Sequence, residues 1–530
     1  MARIALSRPN RPVAADTDSN DSIFSTPFST PWILDEQALA ETLGLAQLMP
    51  EAHAAYRPLL VDGLRFFLER LPPLRQARIL AEQLRLPEDS SPARRLVTLL
   101  RQCPTLHKMG QVVARDQRLA PELRLHLQEL ESLAPTAPME EIGAAIQREW
   151  GTIPGLEVAP TALAEGSVAV IVPAIWREST TSTPRQGVFK VLRPGVEEQL
   201  HEELAIWSEL GAFLEVRCVE LGLPLLDYRH TLDSVRHLLI HEIQLDREQV
   251  HLAQAAAFYA HSPAIHIPQL WPFCTAQMTA MEQIDGCKIT DSDVSPSERQ
   301  RLARTLIEAL IAQPFWNDAT TSAVFHADPH AGNLFVTRDG RLAILDWALI
   351  TPLHKAQRIA VVQAVISALS LDESGLTRAI AGLGSSSDET AVRTAAAAAL
   401  HQVRQGTFPG LDWLMALLDR LGTAGVLRFP EELTLFRKAM LTLSGVLDEV
   451  SERPSIDAVL LATGLTQFGR EWPTRGFAPF DSRAFGTHLS NADGLSLWTG
   501  LPLTATRYWL GLWQDALDIG NAMRARLSKG

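Results

Sequence analysis

The sequence contains few cysteines. Its 530 residues include four, spread along the chain at Cys103, Cys218, Cys274 and Cys287. They form neither a CxxC pair nor a zinc-binding set. The lack of close pairs argues against a disulfide-rich secreted protein and indicates a reducing compartment.

Long apolar runs are also lacking. No stretch approaches the roughly 20 uninterrupted apolar residues that a membrane-spanning helix needs, and the run at 359–369 is short and contains Gln363. No apolar core follows the first three residues, so we expect no signal peptide. The sequence therefore predicts a cytoplasmic protein without a transmembrane helix.

An excess of positive charge is missing as well. Lys and Arg number 48 against 61 Asp and Glu, which gives a net charge of −13 and a sequence pI of about 5.6. A field of this sign repels nucleic acid, so no nucleic-acid partner is expected. The negative net charge still allows a local basic groove. The chain is longer than a single common domain, with 530 residues. Its 46% hydrophobic residues are enough for a large buried core.

The most informative segment is residues 326–333, which read HADPHAGN. Asp328 and Asn333 are five positions apart, and Asp346 follows Asn333 by thirteen. In the catalytic loop of kinases, an Asp orients the attacking group and an Asn five residues later binds magnesium. Carboxylate and amide oxygens are hard ligands that suit Mg²⁺. The pattern predicts a phosphoryl-transfer site with Asp328 as the catalytic residue and with Asn333 and Asp346 as metal ligands.

The residues after Asn333 predict how Asp346 returns to the site. Segments 334–336 and 342–345 read as two apolar strands around the Asp339-Gly340 turn. This hairpin would bring Asp346 back beside Asn333. The alternative is a zinc site or a polar loop built on the His-x-Asp-x-His pattern, which leaves Asn333 and Asp346 unexplained.

Two separated segments resemble one family. Residues 326–333 are similar to the signature of the UbiB/AarF atypical kinase-like family, which usually has Pro where this chain has Ala331. Residues 104–111, PTLHKMGQ, resemble the Lys-x-Gly-Gln motif of that family, which ordinary protein kinases lack. The resemblance implies an α+β, protein-kinase-like two-lobed fold with ATP and Mg²⁺ as cofactors. It also implies a link to isoprenoid-quinone (ubiquinone) or other lipid metabolism, with lipid-pathway or quinone-pathway proteins as candidate partners.

Further matches to the family lie between these segments. Residues 188–196, VFKVLRPGV, resemble the strand that bears the ATP-phosphate lysine, so Lys190 is the candidate for that catalytic and nucleotide-binding role. Residues 242–248 resemble the helix that supplies its ion-pair partner, which would be Glu248. Met281 opens a segment that looks like the interlobe hinge and is a candidate nucleotide contact. Taken singly, such charged residues are typical of solvated surfaces.

The loop expected to cover the phosphates departs from the family pattern. Residues 163–174, LAEGSVAVIVPA, stand in place of an Ala-rich segment. Ala164, Gly166 and Ser167 are the candidate nucleotide contacts there, since glycine permits close backbone approach to phosphate. Glu165 is expected to place a negative charge near the polyanion.

Two other positions differ from the family. Trp347 and Ala348 follow Asp346 where a Phe-Gly pair is usual, and Ala348 enters positive φ less freely than glycine. His251 stands three residues after Glu248, where the family usually has Asn. We expect the segment after Asp346 to switch conformation less readily.

The chain divides into five expected parts. Lys108 and Gln111 lie in the second, a helical extension in which, by the resemblance, they suppress phosphorylation of proteins. The parts are a disordered tail at 1–34, the helical extension at 35–159, a small lobe at 160–290, a mostly helical large lobe at 291–450 and a C-terminal helical extension at 451–530.

Apolar residues near the C-terminus have helical spacing. Trp509, Leu512, Trp513 and Leu517 would lie on one face of a helix. The sequence favours packing of this face on the large lobe and leaves open a peripheral contact with lipid headgroups. Few Lys or Arg accompany it before the last residues of the chain.

Three functions fit these observations. The first is an ATP-binding atypical kinase with Mg-dependent ATPase or phosphotransfer activity in lipid metabolism. The second is a non-catalytic pseudokinase scaffold for partner enzymes or lipid carriers. The third is an ordinary kinase for small molecules or proteins, which would not need the block that Lys108 and Gln111 are expected to form.

Overall fold

The structure is a computed structural model, and it describes most of the chain between residues 51 and 497. The predicted tail and the C-terminal segment with Trp509 and Trp513 lie outside the described residues. The described residues are 51–113, 121–128, 130, 138–179, 182–223, 228–318, 322–386, 388–451 and 455–497.

Six helices follow a 3₁₀ turn, Glu51–Tyr56, in the N-terminal part of the described chain. Several of these helices begin with proline, because the N–H that proline lacks would have no intrahelical partner in the first turn. At Pro92 the side chain of Ser91 also caps the helix by accepting from Arg94 N. The helices are α1 Arg57–Arg70, α2 Pro73–Arg85, α3 Pro92–Arg101, α4 Pro104–Val113, α5 Pro121–Gln128 and α6 Met139–Trp150.

The small lobe is built on an antiparallel five-stranded sheet with the order β1-β3-β4-β6, in which β2 also pairs with β3. Phe189 and Val191 of β4 are buried against α6, so the alternation of a strand points Lys190 to the other face. The sheet begins at β1, before the expected boundary at residue 160. Its strands are β1 Leu156–Val158, β2 Ala164–Glu165, β3 Ala169–Trp176, β4 Arg185–Leu192 and β6 Met278–Glu282.

Three helices connect β4 to β6. They are α7 Val196–Glu220, α8 Tyr228–Glu242 and α9 Leu245–Tyr259. The expectation of one helix through 242–248 is wrong, because Gln244 has φ −90° and ψ 71°, outside the helical region. Glu242 therefore ends α8, and Glu248 lies in the first turn of α9.

The large lobe contains two small sheets and seven helices among the described residues. One sheet has the order β5-β10-β9-β7, and the other pairs β8 with β11. After α10 the chain continues through a π-helical segment, Glu308–Ala312, and a last turn, Gln313–Phe315. The strands are β5 Ile265–His266, β7 Gly286–Lys288, β8 Ser322–His326, β9 Leu334–Thr337, β10 Leu342–Ile344 and β11 Ile350–His354; the helices are α10 Pro296–Ile307, α11 Lys355–Leu369, α12 Glu373–Ala381, α13 Glu389–Arg404, α14 Leu411–Thr423, α15 Glu431–Val450 and α16 Ile456–Arg475.

The hairpin predicted after Asn333 is present. Strands β9 and β10 pair in antiparallel register, with Leu334 opposite Ile344 and Val336 opposite Leu342. Gly340 in the turn has φ 79°, which glycine adopts without strain. The register returns the chain to the start of β9, where Asn333 stands.

A continuous apolar core joins the sheets of the large lobe to helices α10 to α15, and a separate cluster lies under the small-lobe sheet. The α+β, kinase-like two-lobed fold predicted from the sequence is confirmed. Within the described ranges, no helix is long and apolar enough to cross a membrane.

Candidate active site

Lys190 is the centre of the charged cluster between the lobes. Its Nζ lies 2.9 and 2.8 Å from the two carboxylate oxygens of Glu248 and 3.3 Å from Asp346 Oδ2. Strand β4 supplies the lysine, α9 the glutamate and the segment after β10 the aspartate. The structure therefore brings together three predicted site residues from both lobes.

The opposite charges in this cluster favour the ionised forms of Lys190 and Asp346. Burial would lower the pKa of Lys190, but the carboxylates of Asp346 and Glu248 outweigh it and raise that pKa. Burial would raise the pKa of Asp346, but the Lys190 ammonium holds it well below its usual range. Burial raises the pKa of Glu248 to about 7 against the attraction of Lys190. Lys190 is thus protonated and Asp346 ionised at neutral pH, the states that phosphate and metal binding require.

Asp346 has an unusual backbone conformation. Its φ of 49° lies in the left-handed region, which Asp and Asn tolerate better than most residues. Its Oδ1 accepts the N–H of Ala348 at 3.2 Å. Its side chain is 41% exposed, far more than the 3% of Glu248. The carboxylate is therefore held in place and is still open to the cleft.

His326 connects the two candidate catalytic segments. Its Nε2 donates to the carbonyl oxygens of Leu345 and Asp346 at 3.1 and 2.9 Å, and its Nδ1 accepts the N–H of Asp328 at 3.2 Å. Burial lowers the pKa of His326, in agreement with a neutral ring that both donates and accepts. This histidine fixes the spacing between Asp328 and Asp346.

The loop from Asp328 to Asn333 folds back on itself. The Nδ2 of Asn333 donates to the carbonyl oxygen of Asp328 at 3.1 Å, and Asn333 O accepts the N–H of Leu345 at 2.8 Å. A Cβ at Gly332 would lie 2.8 Å from the His330 ring, so a larger residue would have to displace that ring. Because the Asn333 amide donates through its nitrogen, its oxygen is the atom suited to a cation.

The residues that follow Asp346 have structural partners of their own. Trp347 is buried, and its Nε1 donates to Ile344 O at 3.2 Å. His251 donates through Nδ1 to Trp347 O at 3.1 Å, which links the helix that bears Glu248 to this segment. These contacts hold the Asp-Trp-Ala segment against α9.

The Lys-x-Gly-Gln helix α4 reaches the same region from the N-terminal side. Lys108 forms an ion pair with Glu242 at the end of α8. The attraction of Glu242, Asp328 and Asp346 raises the pKa of Lys108 against the opposing effect of burial. A Cβ at Gly110 would lie within 2.9 Å of Leu100 and Leu130, which gives the glycine of the motif a packing role. The side chain of Gln111 lies outside the described residues.

A buried carboxylate anchors α4. Glu203 of α7 is fully buried and accepts from the backbone N and the Oγ1 of Thr105 at 2.9 and 2.6 Å. Arg75 pairs with the other oxygen of the same carboxylate. An acidic group at the N-terminus of a helix is favourable, so this cluster fixes the position from which Lys108 extends.

The loop expected to cover the phosphates is a short turn between β2 and β3. Gly166 N donates to Ala169 O at 2.8 Å. A Cβ at Gly166 would meet only an ordinary contact at 3.5 Å, so the fold itself does not require glycine there. Ala164 pairs with Ile171, and the hydroxyl of Ser167 lies 3.5 Å from Glu242.

The acidic residue of this turn is buried and paired with a cation. Arg193 Nε lies 3.4 Å from Glu165 Oε1, so the arginine offsets the charge of Glu165. A second carboxylate, that of Glu242, contacts both Ser167 of the turn and Lys108.

Met281 lies at the end of β6, opposite Val188 of β4. It is half-buried, and Gln283 N just beyond it donates to Gln186 O at 3.2 Å. The chain crosses from the small lobe to the large lobe at this point, as expected of a hinge.

Magnesium fits the donor set better than zinc. Asp346 offers an exposed carboxylate, and Asn333 offers an amide oxygen at the same end of the β9–β10 hairpin. Hard oxygen ligands of this kind hold Mg²⁺ together with phosphate and water. In the described part of the chain, no group of three or more His, Cys, Asp or Glu side chains is arranged to hold a metal ion, so the zinc alternative gains no support.

Two residues near the site were not found by sequence reasoning. Glu242 was noted only as the start of a helix, and nothing in its spacing indicated Lys108 as its partner. Lys438 of α15 lies 3.8 Å from Asp328 Oδ1, more than a hundred residues further along the chain and outside any recognised motif. The helix break after Glu242 places its side chain at a helix end, and no residue there signals that break in the sequence.

A cavity of about 180 Å³ lies behind this cluster, between α9 and the start of α15. Arg247, His251 and Ala348 line one side, and Glu431 and Leu435 line the other. It does not contain Lys190 or Asp328. The cavity adjoins the site without forming the expected nucleotide cleft.

Comparison with known sequences agrees with these features. The profile of the ABC1 atypical kinase-like domain matches residues 129–380. This range includes Lys190, Glu248, Asp328, Asn333 and Asp346. The helix that carries Lys108 precedes it, and α15 follows it.

Two curated relatives and one solved structure illustrate the similarity. The chain is 26% identical to Protein ACTIVITY OF BC1 COMPLEX KINASE 3, chloroplastic, of Arabidopsis thaliana over 285 residues, 52% of this chain and 38% of that protein. It is 28% identical to a probable protein kinase UbiB of Marinobacter nauticus over 239 residues, 44% of this chain and 42% of the relative. The structure of Rv3197 with erythromycin, from Mycobacterium tuberculosis, has 19% identity and a TM-score of 0.47, and covers 63% of this chain and 84% of that one.

The chain spans only about two fifths of the length of these two curated relatives. The profile match covers the part of the chain that carries the charged cluster. Residues 129–380 match the ABC1 atypical kinase-like domain, and the similarity to proteins named UbiB and ACTIVITY OF BC1 COMPLEX KINASE supports a relation of this chain to the UbiB/ABC1 family.

Proposed function

We propose that this protein binds ATP with Mg²⁺ in the cleft around Lys190 and hydrolyses or transfers the terminal phosphate. The observation that carries the proposal is the contact of Lys190 with both Glu248 and Asp346. A lysine fixed by a glutamate and placed beside a metal-binding aspartate is the arrangement that kinases use to hold nucleotide phosphates. The setting in isoprenoid-quinone or other lipid metabolism rests on the family alone.

Each predicted residue has a role in this proposal. Lys190 holds the phosphates, Glu248 orients Lys190, and Asp328 positions water or an acceptor hydroxyl. Asn333 and Asp346 would hold Mg²⁺, which supplies positive charge against the phosphate oxygens. Ala164, Gly166, Ser167 and Met281 would contact the nucleotide, and Lys108 with Gln111 would limit access of protein substrates.

A pseudokinase scaffold for partner enzymes or lipid carriers is the second candidate. Glu242 supports it, because this carboxylate lies beside the turn that would cover the phosphates and contacts Ser167. A negative charge there opposes binding of a polyanion. Lys108 offsets that charge through its ion pair with Glu242.

Thermal unfolding with ATP or ADP, with and without Mg²⁺, separates the two candidates. A ligand at a hundredfold excess over its Kd stabilises the native state by about 2.7 kcal/mol. We expect Mg-dependent stabilisation in the wild type and its loss in Asp346→Asn. Asn tolerates the positive φ at this position, so the variant tests the carboxylate and keeps the backbone.

Asp339→Asn is the matched control. Asp339 lies in the turn at the far end of the same hairpin and pairs with Arg341 at 2.7 Å. Its variant should keep the nucleotide shift relative to its own unliganded state. No shift for any nucleotide in the wild type would favour the scaffold, and an unchanged shift in Asp346→Asn would remove Asp346 from the site.

A further inference from the structure

A lysine from outside the matched domain lies beside the candidate catalytic carboxylate. Lys438 Nζ is 3.8 Å from Asp328 Oδ1. Lys438 belongs to α15, which follows residues 129–380. We propose that Lys438 is a positioning residue, which orients the Asp328 carboxylate and offsets its charge when a phosphate group approaches. This inference rests on the proposed function.

The helix and the catalytic loop share one rigid support. Phe436 is 1% exposed, and its ring lies 5.0 Å from that of Phe325 in an edge-to-face arrangement. Phe325 belongs to β8, the strand that leads directly to Asp328. The hydroxyl of Thr351 on β11 also donates to Glu432 O at 2.7 Å. These contacts fix α15 against the β8–β11 pair, so the reach of Lys438 to Asp328 does not depend on a mobile segment.

Arg437 and Lys438 are consecutive basic residues of α15, and of these two Lys438 contacts the catalytic loop. Arg437 points to α14 and pairs with Asp419 at 3.0 Å. Because successive residues of a helix are about 100° apart around its axis, Lys438 faces a different direction and meets Asp328. The two cations therefore have separate partners.

Each lysine of the cleft serves a different acidic group. Lys190 contacts Glu248 and Asp346, Lys108 contacts Glu242, and Lys438 contacts Asp328. His330 approaches the other oxygen of Asp328, with its Nε2 3.9 Å from Oδ2.

Lys438 and His330 thus approach opposite oxygens of one carboxylate. The ion pair with Lys438 favours one orientation of the carboxylate, which a residue that positions the attacking group needs. A nearby cation also reduces the repulsion between Asp328 and a bound phosphate. Loss of Lys438 should therefore affect turnover more than nucleotide binding.

The test compares Mg-ATP turnover in the full chain for the wild type, Lys438→Met, Lys438→Arg and Arg437→Met. We expect kcat to fall about tenfold in Lys438→Met, less than the loss of a fully buried donor because Lys438 is partly exposed. The thermal shift with Mg-ADP should stay at the wild-type value, which separates positioning from binding and from misfolding. Lys438→Arg should recover most of the rate, and Arg437→Met should match the wild type.

Three results would overturn the inference. One is a wild-type kcat in Lys438→Met, and another is an equal fall in Arg437→Met, which would indicate a general effect of helix charge. A wild type that binds no nucleotide would overturn the proposed function and this inference with it, whereas a nucleotide-binding, active wild type with an unaffected Lys438→Met variant overturns the inference alone.

Discussion

Lys190 is shared by two carboxylates that differ in exposure. Glu248 is nearly fully buried, and Asp346 opens to the cleft. The buried partner is suited to orient the lysine, and the open partner is the one that would hold a metal ion. This division of roles predicts that the two carboxylates respond differently to removal of their charge.

Replacement of Glu248 by Gln should weaken Mg-ATP binding about tenfold, because an amide holds the ammonium less firmly and without charge. The free energy of unfolding should fall by about 3 kcal/mol, because the buried Lys190 ammonium is left with Asp346 as its remaining charged partner. Calorimetric titration and urea unfolding measure the two quantities. Glu209→Gln, which breaks the exposed pair with Arg70, should change neither; unaltered affinity in Glu248→Gln would contradict the role assigned to Glu248.

Sequence reasoning anticipated the placement of some of these residues and not of others. Asn333 and Asp346 could be placed together because a short hairpin has few possible geometries. The Lys190–Glu248 contact followed from the family resemblance, since the two residues are 58 positions apart and nothing local determines the contact. The contact of Lys438 with Asp328 could not be foreseen, because it depends on how α15 packs against β8 and β11.

Helix α4 acts as a fixed arm across the cleft. Glu203 and Arg75 hold its beginning, and Lys108 ties its middle to the end of α8. The arm would keep a protein substrate away from Asp328 as long as the second attachment holds.

Lys108→Ala should increase incorporation of labelled terminal phosphate into the protein's own chain. A partly exposed ion pair contributes about 1 kcal/mol, so its loss shifts the population of a displaced arm roughly fivefold. Incubation with labelled Mg-ATP and detection of the labelled chain measure this. Met109→Ala, an exposed neighbour on the same helix, should behave as the wild type, and no label above the wild-type level in Lys108→Ala would argue against the block.

The boundaries of elements were predicted well where proline determines them. In the sequence, Pro72-Pro73 and the prolines at 87 and 92 predict helix breaks, and they coincide with the ends of α2 and the start of α3. The break between Glu242 and Leu245 was missed, because Ile243 and Gln244 carry no helix-breaking signal of their own. Packing of α8 and α9 against different neighbours, a tertiary effect, decides that break.

At the scale of the whole molecule, two fully buried histidines hold peripheral segments in place. His107 of α4 contacts Leu130 O at 3.0 Å, and His488, in the segment after α16, contacts Phe315 O at 2.8 Å. Burial lowers the pKa of each to about 4 from the ordinary value of 6.5. Both rings are therefore neutral in the folded protein at pH values where the unfolded chain already binds protons.

The unfolding free energy should fall as the pH drops from about 6.5 towards 4. A histidine with a lowered folded-state pKa contributes stability above its unfolded pKa and loses it as the pH falls through the folded value; the two shifts correspond to about 3 kcal/mol each. Urea unfolding across this range, compared between the wild type and His107→Gln, isolates one contribution. The exposed His201→Gln is the control, and equal pH dependence in the wild type and His107→Gln would refute the account.

The contact between Lys438 and Asp328 has a consequence for biosynthesis. Chains are made from the N-terminus, and domains often fold as they emerge from the ribosome. Residues 129–380 leave the ribosome before α15, whose apolar face completes the core of the large lobe. Docking of α15 would therefore close that core and bring Lys438 to Asp328 in the same step.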